Sequence, residues 1–308
     1  METQITNPSS MSVFITGATN ALGRVVTRRL VAAGHRVTGT TDSSSGAAQV
    51  RADGGLPAYP DLLRAGELRS AIQAAEAKVV MHLAPQTANE IPQAGAQFDE
   101  RLLGDGTTAL LEAAHAAGVE FVIFAGYAFA DLRDEDLQAL TTAARAAEKQ
   151  VLEHEIPGCV LRMGFIYGPD STALQSLRDT LKLGRPVVAG PSDSKAHWTH
   201  AADAASALIL AAEKRPAGAV LNIVDGQPAS PAAFLNYFAE AQGLNPPGVP
   251  GFAKRLLASK TQMALMGVSP AHVDGSAAHE QLGWSPQFAS YQQGIDDLLL
   301  SWRAGETA

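Results

Sequence analysis

Val13-Phe-Ile-Thr-Gly17-Ala-Thr-Asn20-Ala-Leu-Gly23 is an apolar, β-branched run that ends in a glycine turn and passes straight into a helix with Leu22, Val25, Val26 and Leu30 on one stripe. Such a junction aims backbone N–H groups and the positive end of a helix dipole at one spot, which suits a diphosphate. Gly17 supplies the tight turn and Gly23 the close approach of helix to strand. Asn20 stands where a glycine would let the backbone come nearest the phosphates. Asn tolerates positive φ better than most residues, and on that property the loop is expected to survive the change. The plain alternative is a structural strand-to-helix turn without a ligand.

The same alternation recurs. Strands are expected at Val13–Thr16, Arg36–Thr41, Leu56–Tyr59, Lys78–Leu83, Glu120–Ala125 and Cys159–Phe165, each apolar enough to be covered on both faces. Helical stripes lie between them, one formed by Phe98, Leu102, Leu110, Leu111 and Ala114. Strand and helix in alternation predict an α/β fold with a doubly wound parallel sheet. Past Tyr167 the punctuation changes, with Gly168-Pro169, Gly190-Pro191 and Asn245-Pro-Pro-Gly248 breaking the rhythm. Residues 1–11 then read as a flexible tail, 12–167 as a dinucleotide-binding domain, and 168–308 mainly as a smaller α/β substrate domain. A helix at Asp203–Lys214 and a strand at Ala219–Val224 return to the first domain, so the second is discontinuous.

With 308 residues, 46% hydrophobic and 18% charged, the chain has material for a sizeable core. Its net charge of −8 without a basic stripe argues against nucleic acid and anionic membranes as partners. The longest apolar run, Phe121–Ala130, is too short to cross a bilayer, and Met1–Ser10 lacks a signal core, so a cytoplasmic protein is expected. The single Cys159, inside an apolar run, reads as buried filler. His197 and His200 alone do not make a metal site, and no Gly-x-Ser-x-Gly elbow supports a hydrolase.

The glycine loop, Asp61-Leu62, His82-Leu-Ala-Pro-Gln86, Leu161-Arg-Met-Gly-Phe-Ile-Tyr-Gly-Pro169, Val273-Asp274 and Leu282-Gly-Trp-x-Pro286 together resemble the extended short-chain dehydrogenase/reductases of the NAD-dependent epimerase/dehydratase type. The resemblance spans nearly the whole chain. It implies a Rossmann domain with a smaller C-terminal domain over the nicotinamide, and coenzyme contacts at Gly17, Thr19, Asn20, Ala21, Leu22, Gly23, Asp61, Leu62, Leu83 and Ala84. At the tip of strand two, Asp42 would bind a free ribose hydroxyl and repel a 2′-phosphate, which favours NAD. Ser43 and its neighbouring serines leave NADP open.

The resemblance breaks at the catalytic centre. The family moves its proton with Tyr and Lys four apart on one helix, the Lys charge lowering the Tyr pKa. None of the five tyrosines has Lys four residues on. Aligning the pattern on Glu148 puts Leu140 and Ala144 in those two places, and Phe124-Ala-Gly-Tyr-Ala128 replaces the usual serine run. Tyr127, at the end of strand five, is the remaining candidate catalytic residue. Without a neighbouring cation it stays a protonated phenol, able to donate but a poor base. By resemblance, Gln86, Met163, Phe165, Tyr167, Trp198 and His200 are candidate substrate contacts. Phe165, where sugar-nucleotide members carry Asn, favours a smaller or more apolar carbonyl or alcohol. Arg162 reads as a buried ion-pair partner. Three functions stay open: an NAD-dependent oxidoreductase with an atypical centre, a non-catalytic dinucleotide sensor or scaffold, and a non-redox lyase or isomerase. A homodimer is a further expectation, built on an apolar stripe of Leu140, Ala144, Ala147 and Val151, although the same stripe fits packing on its own sheet.

Overall fold

The computed structural model describes residues 10–83, 100–248, 260–268 and 273–306. Seven parallel strands form one sheet in the order β3-β2-β1-β4-β5-β6-β9. They are β1 (Ser12–Thr16), β2 (Arg36–Thr40), β3 (Leu56–Ala58), β4 (Val79–His82), β5 (Phe121–Tyr127), β6 (Gly158–Met163) and β9 (Val220–Ile223). Strand order reverses direction between β1 and β4, so a crevice opens there at the carboxyl ends of the strands.

Alternate side chains of each central strand enter opposite layers, which is why these strands read as continuous apolar runs. Val13, Ile15, Val79, Met81 and Ile123 pack with helices α1 (Ala21–Ala32) and α7 (Ala201–Lys214). Phe14, Val80, Val122 and Phe124 pack on the other side with α3 (Ala65–Ala74), α4 (Thr107–Ala117) and α5 (Gln138–Glu153). The α2 helix (Ser44–Ala52) follows β2. Leu140, Ala144, Ala147 and Val151 of α5 all lie in this second layer, so the stripe considered for a homodimer is consumed within the chain. Phe98 lies outside the described residues.

The expected strand Cys159–Phe165 is two strands. At Gly164 the chain leaves the large sheet, and β7 (Phe165–Tyr167) pairs instead with β8 (Trp198–His200) in a separate two-stranded sheet. A Cβ on Gly164 would sit 2.7 Å from the His197 carbonyl oxygen, and Thr199 Oγ1 accepts from the Gly164 N–H at 3.1 Å. Only glycine allows that approach, and the largely apolar pattern on both sides of it conceals the break.

The remaining helices are α6 (Thr172–Lys182), α8 (Pro231–Glu240), α9 (Lys260–Met266), α10 (Ser276–Leu282) and α11 (Tyr291–Glu306). Buried Asp203, near the start of α7, accepts backbone N–H groups of Gln287 and Phe288, and its carbonyl accepts from Trp284 Nε1. These bonds fasten the C-terminal segment to the sheet. Arg24 and Arg28 of α1 reach Asp53 and Asp170, joining the first helix to the turn after β7. Among the described residues no helix is long and apolar enough to span a membrane.

Candidate coenzyme and active site

β1 delivers the chain to Gly17, whose φ of 75° lies in the left-handed region that glycine enters without strain. Gly23 begins the close contact of α1 with the loop: a Cβ there would lie 2.2 Å from the Gly17 carbonyl oxygen. Asn20 corrects the expectation of positive φ. Its φ is −76° and ψ 168°, ordinary extended backbone, and it works as the N-cap of α1. Its Oδ1 accepts from the Gly23 N–H at 2.7 Å, while its Nδ2 donates to the Leu83 carbonyl at 3.0 Å. Asn is therefore used for its amide, which bridges the loop to the end of β4.

The floor of the crevice is held by a buried relay. Thr16 Oγ1 bonds His82 Nδ1 at 2.7 Å, and His82 Nε2 bonds Thr107 Oγ1 at 3.2 Å. Complete burial pushes the His82 imidazole down to about 3, so it is neutral at ordinary pH. The last residues of β1 and β4 and the first of α4 are thereby tied together.

Beside this floor lies a cleft of about 610 Å³, within the range of small-molecule sites. Gly17, Thr19, Asn20, Asp42, Asp61 and Leu62 line it. Ala21, Leu22 and Gly23 are buried in the first turn of α1, and Leu83 is buried beneath the loop. Ser43 is engaged as the N-cap of α2, accepting from Gly46 N at 3.1 Å. Ala84 and Gln86 lie outside the described residues. The cleft also takes in Thr41, Tyr59, Glu67 and Leu102, which sequence reasoning did not assign to it. The position of Tyr59 at the end of strand three, level with the strand-two tip, was the available signal.

Electrostatics at the rim are acidic. Arg64 Nε lies 3.2 Å from Asp61 and its Nη1 3.4 Å from Glu67, so this cation is engaged by two carboxylates, and Asp42 is exposed nearby. Asp61 also closes its own turn, accepting from Leu63 N at 2.9 Å.

At the carboxyl end of β5, Tyr127 is fully buried, its ring stacked on Phe129 at 5.2 Å. Burial pushes its phenol far above the ordinary tyrosine value, so it is protonated. Met163, Phe165, Tyr167, Trp198 and His200 are likewise buried. Phe165 stands between Phe129 and Trp198, and Trp198 stacks on Phe234 of α8 at 4.1 Å. Tyr167 meets the His200 ring edge-on at 5.2 Å. These side chains form one aromatic pile joining the small sheet to α8. Arg162 makes a bidentate pair with buried Glu148, 2.9 and 2.7 Å, and a further pair with Asp131. Leu140 and Ala144 are buried apolar positions on α5.

A glycine turn, a capped helix and a cleft at the reversal of strand order define a dinucleotide-binding protein of the extended short-chain dehydrogenase/reductase type. The chain belongs to the NAD dependent epimerase/dehydratase family, whose model matches residues 13–224. It is 30% identical to a 3-diazoavenalumate denitrifying reductase of a Streptomyces species, with 92% of this chain and 99% of that protein covered. It is 25% identical to a 4-hydroxy-2-methyl-3-oxo-4-farnesyl-3,4-dihydroquinoline-1-oxide ketoreductase of Stigmatella aurantiaca, over 97% and 98% of the two chains. Its fold is similar to that of a Thermotoga maritima UDP-glucose 4-epimerase, with a TM-score of 0.76, 20% identity, and 96% and 99% of the chains covered. NAD is the coenzyme of the family, and the residues present fit it: Gly17 turns at a positive φ, Gly23 lets α1 approach the loop backbone closely, and the cleft of about 610 Å³ opens beside that turn.

Proposed function

We propose that this protein is an NADH-consuming reductase whose acceptor needs no proton from a side chain of α5. The observation that carries the reading is the pairing of an intact coenzyme cradle with buried Leu140 and Ala144, at the places where the family's Tyr and Lys stand. NADH, when bound, supplies a hydride. Gly17 and Gly23 let α1 start tightly against the loop, so that the diphosphate would lie at the helix N-terminus, and Asn20 holds the loop against Leu83. Asp42 bonds the free ribose hydroxyls, while Asp61 and Glu67, having claimed Arg64, leave a 2′-phosphate facing negative charge. Tyr127 donates a hydrogen bond at most, since burial keeps it protonated.

An electrophile that accepts hydride without simultaneous protonation suits such a centre. Arenes bearing a diazo group, the class named for the 30% relative, meet this condition, because hydride addition is followed by loss of dinitrogen. The ketone class named for the second relative forms an alkoxide that needs a proton donor.

The test is NADH oxidation followed at fixed enzyme with a carboxylated arenediazonium salt and with a panel of aryl ketones. We expect turnover of the diazonium compound with release of dinitrogen and little turnover of ketones. Efficient ketone reduction would overturn the proton-free acceptor. Saturable NADH binding with no turnover of either class would instead make the protein a dinucleotide sensor.

A further inference from the structure

Tyr167 and His200 are register partners at the ends of β7 and β8, and their rings meet edge-on at 5.2 Å. Neither lines the coenzyme cleft, and they are only 0% and 2% exposed. The turn after β9 lies against the same strand, because Asp225 N donates to the Trp198 carbonyl at 3.0 Å. Asp225 is buried as well. Each of these three side chains carries a buried polar atom without a hydrogen-bond partner among the described residues: Tyr167 Oη, His200 Nε2 and Asp225 Oδ2. Buried polar groups in native proteins are bonded in about nine cases of ten or more, so three orphans at one junction call for a partner.

The three atoms are chemically complementary. His200 Nδ1 accepts from Ala202 N at 3.3 Å, which leaves the ring proton on Nε2 as a donor. Burial first, and then the charges of Asp225, Asp203 and Asp297, push the Tyr167 phenol above its ordinary value, so its hydroxyl keeps a proton to donate. Asp225 Oδ2 supplies an acceptor. Asp203 is already spent, since its two oxygens take the N–H groups of Gln287 and Phe288. Asp297 of α11 comes only to 3.9 Å from His200 Nε2, too far for a direct hydrogen bond and a gap of the kind that water bridges. Gly294, a turn earlier on α11, makes room for the phenol, because a Cβ there would lie 2.1 Å from the Tyr167 hydroxyl. Phe234 and Phe288 close the sides, their ring centres 5.2 and 4.3 Å from those of Tyr167 and His200.

We propose that this junction is a binding site for an ordered water molecule, which accepts from Tyr167 and His200 and donates to Asp225. A water has two lone pairs and two protons, so it can serve all three atoms at once. His200 caps α7, Tyr167 abuts α11, and Asp225 closes the turn after β9, so the bound water ties the small sheet and the C-terminal helix to the edge of the large sheet. Tyr167 and His200 then serve the joint between the two sheets. The site does not depend on which coenzyme or acceptor the protein takes.

The test is a high-resolution crystal structure of the full chain, together with thermal melts of the parent and of Tyr167→Phe. We expect water density within about 3.2 Å of at least two of the three atoms. The Y167F melt should lie several degrees below the parent, because a satisfied buried hydroxyl is lost and its water is loosened. A Y167F melt equal to or above the parent overturns the proposal, since deleting a hydroxyl that has no partner relieves a cost. A crystal in which the three atoms bond directly to protein groups, or in which no ordered water touches two of them, overturns it as well, whatever the variant does.

Discussion

Asn20 Nδ2 donates to the Leu83 carbonyl at 3.0 Å, so the residue that starts α1 also grips the chain just past β4. The crevice between β1 and β4 is where strand order reverses, and this single amide spans it. Its other end caps the helix, so the two bonds share one rotamer and restrain each other.

Replacing Asn20 separates these duties. Asn20→Ala loses the cap and leaves the Leu83 carbonyl without its donor, and should lower stability by about 2 kcal/mol, read as a fall of several degrees in Tm. Asn20→Asp keeps the cap, and its melt should lie closer to the parent. Its carboxylate faces the diphosphate, so NADH affinity should fall at least tenfold. Equal NADH affinity in N20D would show that the diphosphate lies elsewhere.

Coenzyme choice is read at Asp42. Asp42→Ala removes the exposed acceptor at the tip of β2, and the ratio of NADP to NAD affinity should rise about tenfold. Arg64 stays engaged by Asp61 and Glu67, so NADP is not expected to become the better ligand outright. Competitive titration of both coenzymes gives the ratio, and an unchanged ratio would remove Asp42 from selection.

Tyr127→Phe tests whether the phenol takes part in the reaction. With an acceptor that requires no proton, kcat should change less than about threefold and the NADH dissociation constant should not move. A loss of a hundredfold in kcat would assign Tyr127 as the donor to the substrate.

Asp225 lies in the turn after β9. Its Oδ1 accepts from Gln227 N at 3.0 Å, whereas its Oδ2 has no hydrogen-bond partner among the described residues. Burial first, and then the nearby Asp203 charge, push its carboxyl up to about 7 against that backbone bond. The folded chain therefore keeps a proton that the unfolded chain releases near pH 4, and the group's contribution to stability falls as pH rises from about 4 to 7. Asp225→Asn should melt above the parent at pH 8, by up to roughly 3 kcal/mol, with the difference closing near pH 4. A difference that persists at pH 4 would point to packing instead of titration. The comparison is made between variants because neutral His82 and His200, pushed down to about 3 and 4, give the parent an opposite trend over pH 4 to 6.

The coenzyme half of the fold was legible because steric necessity leaves few alternatives. A Cβ at position 23 would strike the Gly17 carbonyl, so a glycine pair at that spacing announces the turn itself. Asn20 was harder. Asn is common both at left-handed positions and at helix N-caps, and only coordinates distinguish the two. The break at Gly164 hides inside a largely apolar run, since leaving one sheet for another keeps every side chain but half-buried Arg162 buried. Phe165, Tyr167, Trp198 and His200 carry chemistry-bearing names yet sit within a pile of rings, a distinction that periodicity does not make. Tyr59 passed for the end of a strand, because exposure depends on β3 being the edge of the sheet.

That the last parallel strand comes from Val220–Ile223 bears on how the protein is born. While a ribosome is still making residues 164–219, β6 has no outer neighbour, and its row of unpaired N–H and C=O groups is open to other nascent chains. Biosynthesis must therefore run well past the small sheet before β6 is paired on both sides and the short β9 takes over as the edge. Fragments ending ahead of β9 are expected to be chaperone clients and to aggregate, even though they contain the whole glycine loop.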